Sequence, residues 1–117
     1  MYPLIILAGP TASGKSETAL ELAEHFNTEI ISADSVQVYK LFNIGTAKPA
    51  PKILRKRRHH LIDILEPEDE FNAFKFKTLA LKRAREIAGR NKVPLVSGGT
   101  GLYIKTLMEG LDCATIV

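Results

Sequence analysis

Leu4-Ile-Ile-Leu-Ala-Gly-Pro-Thr-Ala-Ser-Gly-Lys-Ser16 decides the fold. Its first part, Leu4 to Leu7, is a continuous, β-branched apolar run. Such a run reads as a strand buried on both faces, the kind that parallel sheets contain. The second part, Gly9-Pro10-Thr11-Ala12-Ser13-Gly14-Lys15-Ser16, fits G-x-x-x-x-G-K-[ST] at every fixed position. Beyond it, Ala19, Leu22, Ala23 and Phe26 recur at helical spacing and predict a helix from about Lys15 to Phe26. A strand, a glycine-containing turn and a helix make the context in which this motif cradles phosphate. Gly9 and Gly14 let the backbone wrap an anion without Cβ clashes. Amide N–H groups at the helix start point at the anion, and the helix dipole favours negative charge. Lys15 adds a point charge for the terminal phosphates, and Ser16 offers a hydroxyl to Mg²⁺. The sequence therefore predicts binding of a di- or triphosphate through Gly9 to Ser16, with Mg²⁺ as the cofactor.

Further along, Glu29 to Ala33 is a second short apolar run. His60-Leu-Ile-Asp-Ile-Leu65 predicts a third strand, ended by Glu66-Pro67. Asn72 is placed to cap a helix whose face carries Phe76, Leu79, Ala80, Ala84, Ile87 and Ala88 and which ends near Gly89. Val93 to Ser97 predicts another buried strand, with Pro94 near its start, where a missing N–H costs least. Gly98-Gly-Thr-Gly101 then turns the chain into a last helix bearing Leu102, Tyr103 and Leu107, closed by Gly110. Strands that alternate with helices argue for an α/β fold with a mostly parallel sheet. Ligands in such sheets bind at the C-terminal ends of the strands.

That rule makes Asp34, at the end of the second strand, a candidate functional residue. It could ligate Mg²⁺ through water or accept a proton from an attacking group; a turn or capping role is the plainer alternative. Gln37 could read a base edge or simply be an exposed polar residue. Gly98 to Gly101 is a second place where backbone N–H groups gather, although strand-to-helix turns are often glycine-rich for purely structural reasons. His59 and His60 are adjacent and, in a strand, face opposite ways, which argues against a shared metal. His25 reads as a surface residue, and Cys113 has no catalytic context. Phe71, Phe74 and Phe76 read as core rather than as a base-stacking platform.

With 117 residues, 45% apolar and 25% charged, the composition is that of one globular domain, neither disordered nor collagenous. A single cysteine excludes a disulfide scaffold. No apolar run approaches a membrane span, and no basic stretch precedes the first one, so an intracellular, cytoplasmic protein without membrane association is expected. The net charge is only +3, but it is segregated. Lys40, Lys48, Lys52 and Arg55 to Arg58 precede Asp63, Glu66, Glu68, Asp69 and Glu70. A basic segment could hold a polyanion; a solvated loop beside a compensating acidic loop is the plainer reading of charge alone. The stretch from Asp34 to Arg58 is long for a plain connection, as functional loops often are.

Five blocks in order resemble the tRNA dimethylallyltransferase (tRNA isopentenyltransferase) family: Gly9 to Ser16, Ile31-Ser-Ala-Asp-Ser-Val-Gln-Val-Tyr39, Ile44-Gly-Thr-Ala-Lys-Pro49, His59-His-Leu-Ile-Asp63 and Gly98-Gly-Thr-Gly-Leu-Tyr103. The resemblance covers about residues 4 to 111 and implies a P-loop-containing nucleoside triphosphate hydrolase-like fold. It implies that residues 1–117 form the P-loop core domain, without the family's helical insertion and C-terminal half, which grips the anticodon arm of tRNA. Surface uncovered by that truncation would favour self-association. The implied activity is transfer of a dimethylallyl group from dimethylallyl diphosphate, with Mg²⁺, to N6 of adenosine 37 in tRNA. By match, Gly9 to Ser16 would hold the diphosphate and Thr11 would sit near the reacting centre. Asp34 would be the general base, and Asp34, Ser35, Val36, Gln37 and Thr100 would contact the tRNA. The chain departs from the family at Asn43, where an Asp is usual, and from Asp112 onwards. A P-loop kinase acting on a small molecule or nucleotide, and a non-catalytic diphosphate-binding fragment, are the alternatives.

Overall fold

The computed structural model describes residues 2–8, 15–35, 38–40, 57–62, 64–66, 68–109 and 115–116, with backbone alone at 15–16 and 115–116. Five strands are found among them: β1 (Ile5–Ala8), β2 (Ile30–Ser32), β3 (His59–His60), β4 (Leu95–Gly98) and β5 (Thr115–Ile116). All pair in parallel, in the order β3-β2-β4-β1-β5. Three helices accompany them: α1 (Lys15–Phe26), α2 (Ala73–Gly89) and α3 (Gly101–Met108).

The two-residue side-chain period of a strand explains the layering. Ile5, Leu95 and Ile30 lie in register and face one way, into a core with Leu7, Ala19 and Ala23 of α1. Ile6, Val96 and Ile31, one residue on, face the other way. They join Leu4, Ala33, Phe76, Ala80, Ala84 and Ile87, with Tyr103, Ile104 and Leu107 of α3. The sheet is thus apolar on both faces and covered by helices on both. Among the described residues no helix is long and apolar enough to cross a membrane.

Local chemistry sets the boundaries. The Asn72 side chain accepts a hydrogen bond from the Lys75 N–H and caps α2, as expected. Both long helices are followed by an asparagine in the left-handed region, Asn27 (φ 49°) and Asn91 (φ 62°), and α2 ends at the expected position. Gly89 is the last helical residue, and the Lys92 N–H reaches back to the Ile87 carbonyl.

Two expectations need correction. The third strand is His59–His60, not His60 to Leu65. Leu61 turns into the left-handed region (φ 65°), which ends the ladder; Leu65 pairs separately, as a bridge to Tyr39. Of the phenylalanines expected in the core, Phe76 is 1% exposed but Phe74 is 71% exposed. Two residues along a helix is a rotation of about 200°, so the pair cannot share a face. Leu102 and Phe26 likewise lie on exposed faces.

Candidate functional site

The C-terminal ends of the parallel strands converge on one mouth. β2 delivers Ala33, Asp34 and Ser35 to it, and β4 delivers Gly98, Gly99 and Thr100. Their approach is close because Gly98 has no side chain. A Cβ there would lie 2.1 Å from the Ala33 carbonyl oxygen. With that space kept, the Ala33 N–H donates to the Ser97 carbonyl (2.9 Å) and the Thr100 N–H donates to the Ala33 carbonyl (3.2 Å). The Thr100 hydroxyl accepts from the Ser35 N–H at 3.0 Å and reaches the Ser35 hydroxyl at 3.5 Å. Asp34 is therefore fixed from both sides by the β4–α3 turn.

Within Gly98 to Gly101, the Thr100 N–H is spent on the Ala33 carbonyl just past β2, where it positions the Asp34 segment. Thr100 is also the N-cap residue of α3, but its hydroxyl makes no cap bond among the described residues, because it is turned toward Ser35.

Behind Asp34 stands an aromatic group. Tyr103 stacks on Phe76 (4.8 Å between centroids, 15° between planes) and meets Phe71 edge-on at 5.8 Å. Burial, with Tyr39 and the Asp34 carboxylate adding to it, raises the Tyr103 pKa above the usual tyrosine value, so its hydroxyl stays protonated. Tyr39 is tied in turn to the 64–69 segment. Its hydroxyl donates to the Asp69 carbonyl (3.0 Å), and Lys40 pairs with Glu66 at 2.9 Å. That ion pair joins the basic and acidic segments that the sequence sets apart.

Beside the mouth lies a cleft of about 560 Å³, lined by Ala8, Gly98, Gly99, Gly101, Ile104, Lys105, Met108 and Glu109. Its size suits a small ligand. The glycines expose backbone at its floor, Ile104 and Met108 make apolar wall, and Lys105 and Glu109 supply charge.

Of the candidate residues, Asp34, Ser35 and Thr100 are brought together. Lys15 and Ser16 are the first two residues of α1. Gly9, Pro10, Thr11, Ala12, Ser13, Gly14, Val36, Gln37, Asn43 and Cys113 lie outside the described residues. Among the described residues no group of three His, Cys, Asp or Glu could hold a metal.

A network at the other end of the sheet was not anticipated. The buried Glu29 carboxylate accepts from His60 Nε2–H (2.9 Å) and from Arg90 through Nη2 (2.7 and 2.8 Å) and Nε (3.1 Å). Burial alone would raise the Glu29 pKa; the Arg90 and His60 hydrogen bonds outweigh it and bring it below the usual carboxylate value. Burial also lowers the His60 pKa, against the pull of Glu29, so the contact is a hydrogen bond from a neutral imidazole. The one sequence signal was an acid opening the apolar run Glu29 to Ala33.

A parallel sheet between helices, with a phosphate-loop motif leaving its first strand and an acid after its second, defines a P-loop NTPase-like α/β protein. Residues 37–116 match the family model described as IPP transferase. The chain belongs to the IPP transferase family. It is 56% identical over 110 residues to a tRNA dimethylallyltransferase of Nitrosospira multiformis, covering 94% of this chain and 34% of that protein. It is 54% identical over 109 residues to a tRNA dimethylallyltransferase of Staphylococcus aureus, covering 93% and 35%. The crystal structure of a tRNA delta(2)-isopentenylpyrophosphate transferase from Staphylococcus epidermidis superposes with a TM-score of 0.87 at 50% identity, covering 92% of this chain and 35% of that one. A tRNA isopentenylpyrophosphate transferase from Bacillus halodurans gives 0.89 at 40% identity, covering 96% and 37%. The chain spans about a third of the length of these relatives.

Proposed function

We propose that this chain is the donor-binding core of a tRNA prenyltransferase of the cytoplasm. The reaction moves a dimethylallyl group from dimethylallyl diphosphate to N6 of adenosine 37 in the anticodon arm. The observation that carries the reading is the hydrogen bond between Ser35 and Thr100, which holds Asp34 at the strand ends beside an apolar cleft. In transfer, the allylic C–O bond breaks, its electrons leave with the diphosphate, and N6 bonds to carbon. Gly9 to Gly14 and Lys15 would bind the departing diphosphate and stabilise its growing charge, with Thr11 close to the reacting carbon. Asp34 would hold the N6 amino group and take its proton as the new bond forms. Ser35, Val36, Gln37 and Thr100 would contact the flipped nucleotide. The cleft floored by Gly98, Gly99 and Gly101 would take the five-carbon group.

The Ser16 hydroxyl is a hard oxygen donor of the kind Mg²⁺ takes alongside waters and phosphate oxygens. Bound there, the ion would supply neutralisation of diphosphate charge. Exposed Phe74 and Leu102 would serve contacts with the rest of a longer family member or with a second copy.

Calorimetric titration with dimethylallyl diphosphate and with ATP, each with Mg²⁺, tests the reading. Dimethylallyl diphosphate is expected to bind more tightly, and Lys15→Ala to abolish that binding. Asp34→Ala is expected to spare diphosphate binding and to abolish transfer to an anticodon stem-loop. Preference for ATP would favour a kinase. Binding without any transfer would leave a diphosphate-binding fragment.

A further inference from the structure

A second concave surface lies at the opposite end of the sheet from Asp34. β2, β3 and β4 begin at Ile30, His59 and Leu95. Residues just before those starts, Thr28, Glu29, Arg57, Arg58, Arg90 and Lys92, line a pocket of about 380 Å³. Four bases there face one acid, and that acid is already saturated. Arg90 and His60 supply the hydrogen bonds to both Glu29 oxygens. Arg58 Nε and Lys92 Nζ stand 3.9 and 3.7 Å from the carboxylate, beyond hydrogen-bond range, with their donors unspent on it. The Arg58 side chain is 65% exposed and open to an incoming anion.

The wall adds an independent sign of a missing acceptor. Thr28 is 1% exposed, and its Oγ1 is buried with no hydrogen-bond partner among the described residues. Buried hydroxyls are normally paired. The pocket therefore holds surplus positive charge and surplus donors: a guanidinium, an ammonium and a hydroxyl. A tetrahedral oxyanion answers all three at once, since it brings charge and several acceptor oxygens to donors converging from different directions.

We propose that this pocket binds a phosphate group through Arg58, Lys92 and the Thr28 hydroxyl, at the far end of the sheet from the Gly9–Ser16 loop. The phosphate could belong to an RNA backbone or be a free anion; the chemistry of capture is the same.

The test separates this pocket from the donor site. Inorganic phosphate is titrated into the Lys15→Ala chain while amide resonances are followed by NMR. Saturable shifts are expected at Thr28, Glu29, Arg58 and Lys92, without matching shifts at Ser35 and Thr100. An Arg58→Gln, Lys92→Gln double variant is expected to weaken binding at least tenfold, and Thr28→Val about tenfold. Thr28→Val removes an unpaired hydroxyl, so its urea midpoint should not fall, and a loss of phosphate affinity there cannot be ascribed to unfolding. The same variants are then titrated with an RNA stem-loop. A parallel weakening identifies a backbone phosphate as the source; an effect on phosphate alone identifies a free anion. Absence of shifts at Thr28, Arg58 and Lys92, or unchanged affinity in both variants, overturns the proposal. Neither result bears on dimethylallyl diphosphate binding at the other end of the sheet.

Discussion

The Thr100 hydroxyl accepts a hydrogen bond from the Ser35 N–H at 3.0 Å, across 65 residues of sequence. A threonine that begins a helix ordinarily turns its hydroxyl onto its own first turn. Here the hydroxyl serves another element, and the element it serves carries Asp34. Thr100→Val keeps the shape and removes the bond. The expected cost is about 0.5–1.5 kcal/mol of stability, with local opening at Ser35 favoured about tenfold more than elsewhere. Amide hydrogen exchange at Ser35 reads this directly. Thr100→Ser should restore wild-type exchange, and equal exchange in the valine variant would show that the contact does not hold the loop.

Gly98 makes the same junction possible from the backbone side. An added Cβ meets the Ala33 carbonyl oxygen at 2.1 Å, and the atom it meets is main chain just past the β2–β4 ladder, held there by the Ala33–Ser97 and Thr100–Ala33 backbone hydrogen bonds. Gly98→Ala is therefore expected to cost about 1–3 kcal/mol, the range of overpacked cores. Gly101→Ala, where a Cβ meets nothing within 4 Å, should be neutral or slightly stabilising. Paired urea unfolding curves check the contrast. Equal midpoints for the two would mean that β2 and β4 can separate locally.

The sheet was legible because its strands are buried on both faces and leave continuous apolar runs, Leu4 to Leu7 and Val93 to Ser97. α2 was legible because Phe76, Ala80, Ala84 and Ile87 repeat at helical spacing and Asn72 precedes them. The third strand was overrun because nothing in Leu61 announces a left-handed backbone; tertiary packing imposes it on a residue type that ordinarily avoids it. Phe74 was misassigned because proximity in sequence to Phe76 outweighed the helical rotation between them. Asp34, Ser35 and Thr100 could be placed at the strand ends from topology, but their hydrogen bonds could not, since short sequence windows hold no record of contacts 65 residues apart. The Glu29 network was hidden for the same reason: His60 and Arg90 come from 31 and 61 residues away.

That network sets the acid side of the stability profile. Burial lowers the His60 pKa, with Arg58 and Arg83 adding to it against Glu29. The unfolded chain then takes up a proton near pH ~6.5 that the folded chain refuses. Stability falls as pH drops below that value and levels off below the folded pKa. The lowered Glu29 pKa acts in the same direction in the carboxylate range, where the stability it contributes is lost as pH falls through the folded value. Thermal midpoints should be flat above about pH 7 and decline in two stages below it. His60→Gln, which keeps a donor for Glu29, should shallow the first stage, leaving the share of His59, whose pKa burial also lowers. An unchanged first stage in His60→Gln would remove His60 from this account.

The two partners of the central ion pair should not be equivalent. The Glu29 side chain is 7% exposed and that of Arg90 41%. Arg90→Gln strands a buried carboxylate on one imidazole hydrogen bond and two more distant cations. Arg58 and Lys92 offset part of the loss, so the expected cost is about 2–3 kcal/mol, somewhat under that of a buried charge left wholly alone. Glu29→Gln leaves no charge in the interior. Its amide oxygen can still accept from His60, and the released Arg90 guanidinium can turn to water. About 1–2 kcal/mol is expected, the cost of exchanging charge-assisted hydrogen bonds for neutral ones. Urea unfolding of both variants at neutral pH decides the order. A larger loss for Glu29→Gln would mean that the carboxylate is the organising centre of the β2, β3 and β4 starts, and that the cations around it exist to be held apart rather than to hold it.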